Sequence, residues 1–155
     1  MTDEERLPTI RVVKGADVDD LIRLMRAYCD FYDADPSDAA LRELSKTLIS
    51  DPEHEGLQLI ARNPQGEAIG FATVYWTWST THAARIGVMN DLFVAPHARS
   101  AGVARFLIYA CRDRCRAHGV SLLTWQTAPH NLRAQRLYDR LHATREEWIE
   151  YSLDV

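Results

Sequence analysis

The chain has 155 residues, the length of one domain, with 46% hydrophobic and 26% charged residues and a formal net charge of −4, the balance of an ordinary globular protein with enough apolar material for a core. No uninterrupted apolar run approaches the ~18 residues of a membrane span, and the acidic balance argues against a broad nucleic-acid surface while suiting a cationic substrate. The first residues, MTDEERLPT, lack the basic start and apolar centre of a secretory signal, so no membrane partner and a cytoplasmic location are expected.

Thr9 to Lys14 alternate in polarity and are β-branched, which predicts a first strand ended by Gly15. Asp17 is placed to cap a helix whose apolar face is Leu21, Ile22, Leu24, Met25 and Tyr28, and which runs toward Tyr32. Ser37 or Asp38 caps a second helix with Leu41, Leu44, Leu48 and Ile49 inward. Leu57 to Arg62 and Glu67 to Trp78 read as a hairpin turning at Asn63-Pro64-Gln65-Gly66. Arg85 to Val94 is a further strand, followed by a helix to about His118 that Gly119 stops. Val120 to Thr127 is the next strand, and Asn131 precedes a helix with Leu132, Leu137 and Leu141 inward. Thr144 to Leu153 alternates again and reads as a closing strand. The order β-α-α-β-β-β-α-β-α-β is that of an α/β domain with a mixed sheet. No repeat or linker divides it, so residues 1–155 form a single domain.

Chemistry concentrates in three places. Phe31-Tyr32-Asp33-Ala34-Asp35 sets aromatic rings beside carboxylates, a composition that either holds an amine cation or solvates a turn. On the hairpin's second strand, Trp76 and Trp78 share a face opposite Tyr75, and either line a cleft or fill the core. After the strand Asn90–Val94, the turn Arg99-Ser100-Ala101-Gly102-Val103-Ala104 opens a helix. Its unpaired N–H groups and positive dipole end suit a phosphate. The three cysteines, Cys29, Cys111 and Cys115, have neither CxxC nor zinc spacing, and the six histidines have no metal spacing either. Reduced thiols and no metal are expected.

The strand DLFV, the turn Arg99 to Ala104, the strand LLTWQT and the run from Asn131 through Ala134 to Leu137-Tyr138 together resemble the GNAT superfamily of acyl-CoA-dependent N-acetyltransferases. The turn fills every fixed position of that family's [RQ]-x-x-G-x-[GA] pattern, and the resemblance spans nearly the whole chain. It is closest to the branch that acetylates small amines, polyamines or lysine-type amino groups, and it implies a mostly antiparallel central sheet flanked by helices. Acetyl-CoA is the implied cosubstrate. The backbone of Arg99 to Ala104 would bind the pyrophosphate, the main chain of Phe93 and Val94 the pantetheine, and Asn131 its amide region.

Tyr138 matches the family's proton donor to the departing thiolate. Where several family members carry a glutamate, this chain has Asn90, so the base is left among Asp91, Asp33, a water beside Asn90, or none. Tyr32, Asp33, Trp76, Trp78 and Asn90 are the candidate acceptor contacts. The resemblance implies direct transfer in a ternary complex to a small-molecule amine, and a homodimer that involves the closing strand. A protein lysine or N-terminal acceptor, and a non-catalytic acyl-CoA sensor, are the alternative functions.

Overall fold

Strands that follow one another in sequence lie side by side in the computed structural model, which describes residues 7–155. β1 (Thr9–Val12), β2 (Gly56–Arg62), β3 (Ala68–Ser79) and β4 (Ala84–Val94) are antiparallel in that order, and β5 (Leu123–Thr124) joins β4 in parallel. α1 (Val18–Phe31) and α2 (Asp38–Ser50) cover one face, where Leu21, Ile22 and Met25 pack on Ile60, Phe71 and Phe93. α3 (Val103–Ala117) covers the other, burying Leu107, Cys111 and Cys115 against Leu59, Ala72 and Val74. α4 (Leu132–Arg140) packs Leu137 and Tyr138 against the α3 side. This is the expected mixed, mostly antiparallel architecture, and both cysteines of α3 are buried free thiols.

The β3–β4 ladder contains one irregularity. Thr73 pairs with Asp91 but Val74 pairs with Met89, so Asn90 is an extra residue on β4. Such a bulge shifts the alternation of side chains by one. Met89, Leu92 and Val94 therefore face the α3 cluster although 89 and 92 differ in parity, and Phe93 faces α1.

Local chemistry explains most element ends. Ser37 caps α2 by accepting from the Ala40 N–H at 3.1 Å. Asp17 stands at the N-cap of α1 but does not cap it; its carboxylate accepts from the Lys14 N–H at 3.0 Å and from Arg62 at 2.9 Å. Arg62 also reaches Asp20 at 2.7 Å, tying β2 to the start of α1. Gly87 is required where α3 crosses β4, because a Cβ there would meet the Cys115 Sγ at 2.7 Å.

Three expectations for the C-terminal third are corrected. Of Val120–Thr127 only Leu123–Thr124 is laddered, and Leu132 is 57% exposed rather than inward. Thr144–Leu153 alternates as a strand should but forms none, because no neighbouring strand takes up its N–H and C=O groups.

Burial alone would raise the Asp17 carboxyl, but the Lys14 N–H and Arg62 override it and hold it below the ordinary value. A depressed carboxyl contributes stability that is present above its unfolded value of about 4 and is lost as pH falls through the folded one. Arg62→Met is therefore expected to cost about 1–3 kcal/mol in urea unfolding at pH 7. The gap from wild type should close toward pH 2, and a pH-independent difference would assign the loss to packing instead.

Candidate active site

The bulge at Asn90 delivers Asp91 to the α1 face. Unbroken alternation from Met89 would have sent its carboxylate into the α3 core; instead it meets Tyr28 of α1, Thr73 of β3 and the Asn90 amide, whose Nδ2 donates at 3.0 Å. Burial raises the Asp91 carboxyl above its ordinary value, and the hydrogen bonds from Thr73, Tyr28 and Asn90 only partly offset that. Burial and then the Asp91 charge push the neighbouring Tyr75 phenol up to about 12, and the same causes raise Tyr28 further. Behind Thr73, the buried Gln58 amide donates to its hydroxyl at 3.2 Å and so fixes the residue that pairs with Asp91 across the ladder.

The sheet opens next to this carboxylate. The β4–β5 ladder consists of the pairs Gly87–Leu123 and Val88–Thr124, after which the two chains separate. Ala95 donates to the Ile69 carbonyl at 2.8 Å, so by the alternation of an antiparallel ladder Phe93 also turns its main chain to β3, while Val94 turns toward the opening. Across that gap stands Tyr138, edge-on to Trp125 with ring centroids 5.3 Å apart. Burial, followed by the nearby Tyr32 phenol, holds the Tyr138 hydroxyl above its ordinary value, so it is protonated at neutral pH. Tyr32 in turn lies edge-on to Tyr28 at 5.0 Å. Tyr28 and Tyr32 thus form an aromatic pair beside the carboxylate, while Tyr138 packs on the α3 side of the sheet.

Beyond Val94 the chain turns through a short 3-10 segment, Pro96–Ala98, into α3. Gly102, the N-cap of α3, is left-handed with φ 78°, and no side chain caps the helix. A Cβ on Gly102 would have nothing nearer than 3.7 Å, so the backbone there borders open space. Arg99 donates to the Val94 carbonyl at 3.1 Å and Arg133 of α4 donates to the Ser100 hydroxyl at 3.0 Å. The turn therefore combines orphan N–H groups, a helix dipole and two guanidinium groups, and it fits a pyrophosphate.

The residues singled out from sequence divide accordingly. Asp91, Asn90, Tyr32 and Tyr138 border the cleft, and Val94 and the turn Arg99 to Ala104 lead into it. Phe93 departs from expectation, since its main chain is committed to β3. The Asn131 carboxamide oxygen caps α4 by accepting from Ala134 at 3.2 Å, which leaves its Nδ2 as the group available to a ligand.

Asp33 sits in an exposed left-handed turn position with φ 53°. Trp76 is a core residue on the α3 side, 6% exposed, stacked on His118 at 4.1 Å with its indole N–H on the Pro52 carbonyl, so it is closed to a substrate in this cleft. Trp78 is 70% exposed near the far end of the hairpin, with the Arg85 guanidinium 5.4 Å from its ring.

Sequence reasoning did not single out Tyr28, Thr73 or Gln58. Tyr75 was legible only as opposite in parity to the tryptophans. A cavity of about 420 Å³ between Glu53, His54, Arg85 and His118 lies at the other end of β4, away from Asp91. Among the described residues no group of three or more His, Cys, Asp or Glu side chains could hold a metal ion.

Comparison with known proteins gives three further observations. The profile of the acetyltransferase (GNAT) family matches residues 21–143. The chain is 36% identical over 147 residues to YhfO of Bacillus subtilis, described as an uncharacterized N-acetyltransferase, covering 94% of this chain and 97% of that one. It is 38% identical over 76 residues to a D-amino-acid N-acetyltransferase of Saccharomyces cerevisiae, 49% of this chain and 47% of that one. Among solved structures, the aminoglycoside N-acetyltransferase AAC(6')-Iy in complex with CoA superposes with a TM-score of 0.83 at 20% identity, covering 99% of both chains.

The raised Asp91 carboxyl has a consequence for stability. Its charged form costs the folded state stability at pH values above the folded titration, and the cost fades as pH falls through it. Asp91→Asn is expected to raise the urea midpoint at pH 8, with the gain shrinking in acid. A lowered midpoint at pH 8 would show that the hydrogen bonds to the carboxylate outweigh its burial.

Proposed function

The chain belongs to the GNAT family of acetyltransferases and uses acetyl-CoA as cosubstrate, and from that premise we propose that it moves the acetyl group directly to the primary amine of a small molecule within a ternary complex. The observation that carries this reading is the half-buried Asp91 carboxylate, ringed by Tyr28, Thr73 and Asn90, together with the protonated phenol of Tyr138 beside Trp125. Acetyl-CoA supplies a thioester as the acyl donor. The residues of this chain do the rest.

The turn Arg99 to Ala104, with Arg133, binds the pyrophosphate, and the main chain of Val94 guides the pantetheine toward the opening between β4 and β5. Asn131 Nδ2 is positioned to reach the pantetheine amide region.

An amine arrives as its ammonium form, which the aromatic faces of Tyr28, Tyr32 and Tyr75 and the Asp91 charge attract. Asp91 accepts the proton that must leave before the nitrogen can attack. Its raised titration makes it a stronger base than an exposed carboxylate. As the nitrogen–carbon bond forms and the carbon–sulfur bond breaks, Tyr138 gives its phenolic proton to the departing sulfur. The acylated nitrogen loses its second proton to solvent, and solvent restores the proton on Tyr138 and takes the one held by Asp91. Asn90 orients Asp91 through its 3.0 Å hydrogen bond. The yeast relative that acetylates D-amino acids supports an acceptor of this size and class.

Thiol release from acetyl-CoA in the presence of polyamines, D- and L-amino acids, aminoglycosides and lysine peptides tests the acceptor. Turnover is expected with a small amine, and turnover with lysine peptides alone would replace it with a protein acceptor. Tight acetyl-CoA binding without any turnover would identify an acyl-CoA sensor. Tyr138→Phe is expected to lower kcat about 10²- to 10⁴-fold with acetyl-CoA binding near wild type. An unchanged kcat would remove Tyr138 as the acid.

A further inference from the structure

Among the described residues, the polar side chains sealed from solvent are Ser45, Gln58 and Thr73, with Gln58 2% exposed and the other two 0%. Gln58 pairs with Thr73 across β2 and β3, and Thr73 pairs with Asp91 across β3 and β4. The three side chains therefore form one row over three strands on the α1 side of the sheet. The next row on that side, Ile60, Phe71 and Phe93, is apolar throughout. A polar row in such a place costs stability unless its donors and acceptors find partners.

The partners in this row impose a direction. Met25 of α1 accepts from the Ser45 hydroxyl at 3.7 Å and from Gln58 Nε2 at 3.8 Å. A thioether sulfur can only accept, so it draws the nitrogen of the Gln58 amide rather than the oxygen. The same nitrogen donates to Thr73 Oγ1 at 3.2 Å. A hydroxyl that accepts on one side keeps its own hydrogen for another partner, and Asp91 is the acceptor across the ladder. With the amide reversed, Gln58 Oε1 would compete with Asp91 for that hydrogen. In the observed orientation Gln58 Oε1 is buried with no hydrogen-bond partner among the described residues. An apolar side chain of similar length would avoid that cost, so stability alone does not account for an amide here.

We propose that Gln58 is a positioning residue of this site, whose amide holds the Thr73 hydroxyl as a hydrogen donor to the Asp91 carboxylate. Met25 fixes the amide, the amide fixes the hydroxyl, and the hydroxyl favours the charged carboxylate. The proposal rests on the reading of Asp91 as the group that takes the amine proton, and it makes β2 contribute to that step without touching the substrate. The other groups that face Asp91 are Tyr28 and Cys29 of α1, Tyr75 of β3 and the Asn90 amide. Burial raises both phenols and the thiol above their ordinary values, so all three stay neutral while Asp91 titrates.

Carbon-13 spectra of protein labelled at the aspartate carboxyl carbons follow Asp91 directly, its signal being the one lost in Asp91→Asn. Thr73→Val is expected to raise the Asp91 titration by about one pH unit, and Thr73→Ser to leave it near wild type. Gln58→Met and Gln58→Leu, two different apolar fillings of the same space, are expected to raise it by roughly 0.3 to 1 pH unit. The acid limb of kcat/KM for acetyl transfer should move up in pH by the same amount. A titration that stays at its wild-type position in the folded Gln58 variants overturns the proposal, even if their stability or turnover falls, because a packing role alone would give that result. A shifted titration with an unmoved acid limb upholds the action of Gln58 on the carboxylate and instead removes Asp91 as the base, so the two failures are told apart.

Discussion

The β3–β4 pairing is the constraint on which the rest of this molecule depends. It is the longest ladder of the sheet, running from Gly70–Val94 to Ser79–Ala84, and its single bulge sets which residues face which layer. Before Asn90, β4 turns its odd positions to α3; after it, the even ones. That one inserted residue keeps Leu92 and Val94 in the core while moving Asp91 out of it to the side of Tyr28. A carboxylate left in the α3 core would have been buried among Leu107, Cys111 and Val74 without a polar partner, an arrangement that interiors avoid.

The second organising feature is the separation of β4 from β5 beyond Thr124. A closed sheet would isolate the α1 face from the α3 face. The opening lets groups from both meet, so that Tyr138, which packs on the α3 side, lies within electrostatic reach of Tyr32 at the end of α1. The phosphate turn adjoins the same place because α3 begins only nine residues after Val94. Arg133 of α4 holds Ser100 of that turn, coupling the element that carries Tyr138 to the turn that opens α3. The turn before α3, Tyr138 and Asp91 thus come from three different elements around one gap.

Much of the fold was legible because it is local. The capping serine of α2, the Asn-Pro-Gln-Gly turn, the helix-ending Gly119 and the alternation of β1 to β4 each act within a few residues, and each element formed close to its expected limits. The C-terminal third resisted the same reading. Alternation in Thr144–Leu153 records that a segment is suited to a strand, but a strand exists only when another backbone satisfies its hydrogen bonds. Asp17 illustrates the same limit on a smaller scale. Its position as an N-cap followed from its neighbours, while its carboxylate answers to Arg62, forty-five residues away.

The sequence by itself determined the phosphate turn, its helix, the phenol at Tyr138 and the mixed sheet, because each depends on residue type and short spacing. Only the tertiary structure decided that Asp91 is buried beside Tyr28 and Thr73 while Asp33 sits in an exposed turn. Residue chemistry left Asp33 as an alternative to Asp91, and the burial of Asp91 on the α1 side rests on a bulge that no local pattern announces. It also decided that Trp76 stacks in the core on His118, and that Tyr28, Tyr75 and Thr73 surround Asp91. These neighbours come from α1, β3 and β4, up to about sixty residues apart in sequence. Burial and side-chain orientation are properties of the assembled layers, and they raise the titration of an otherwise ordinary aspartate.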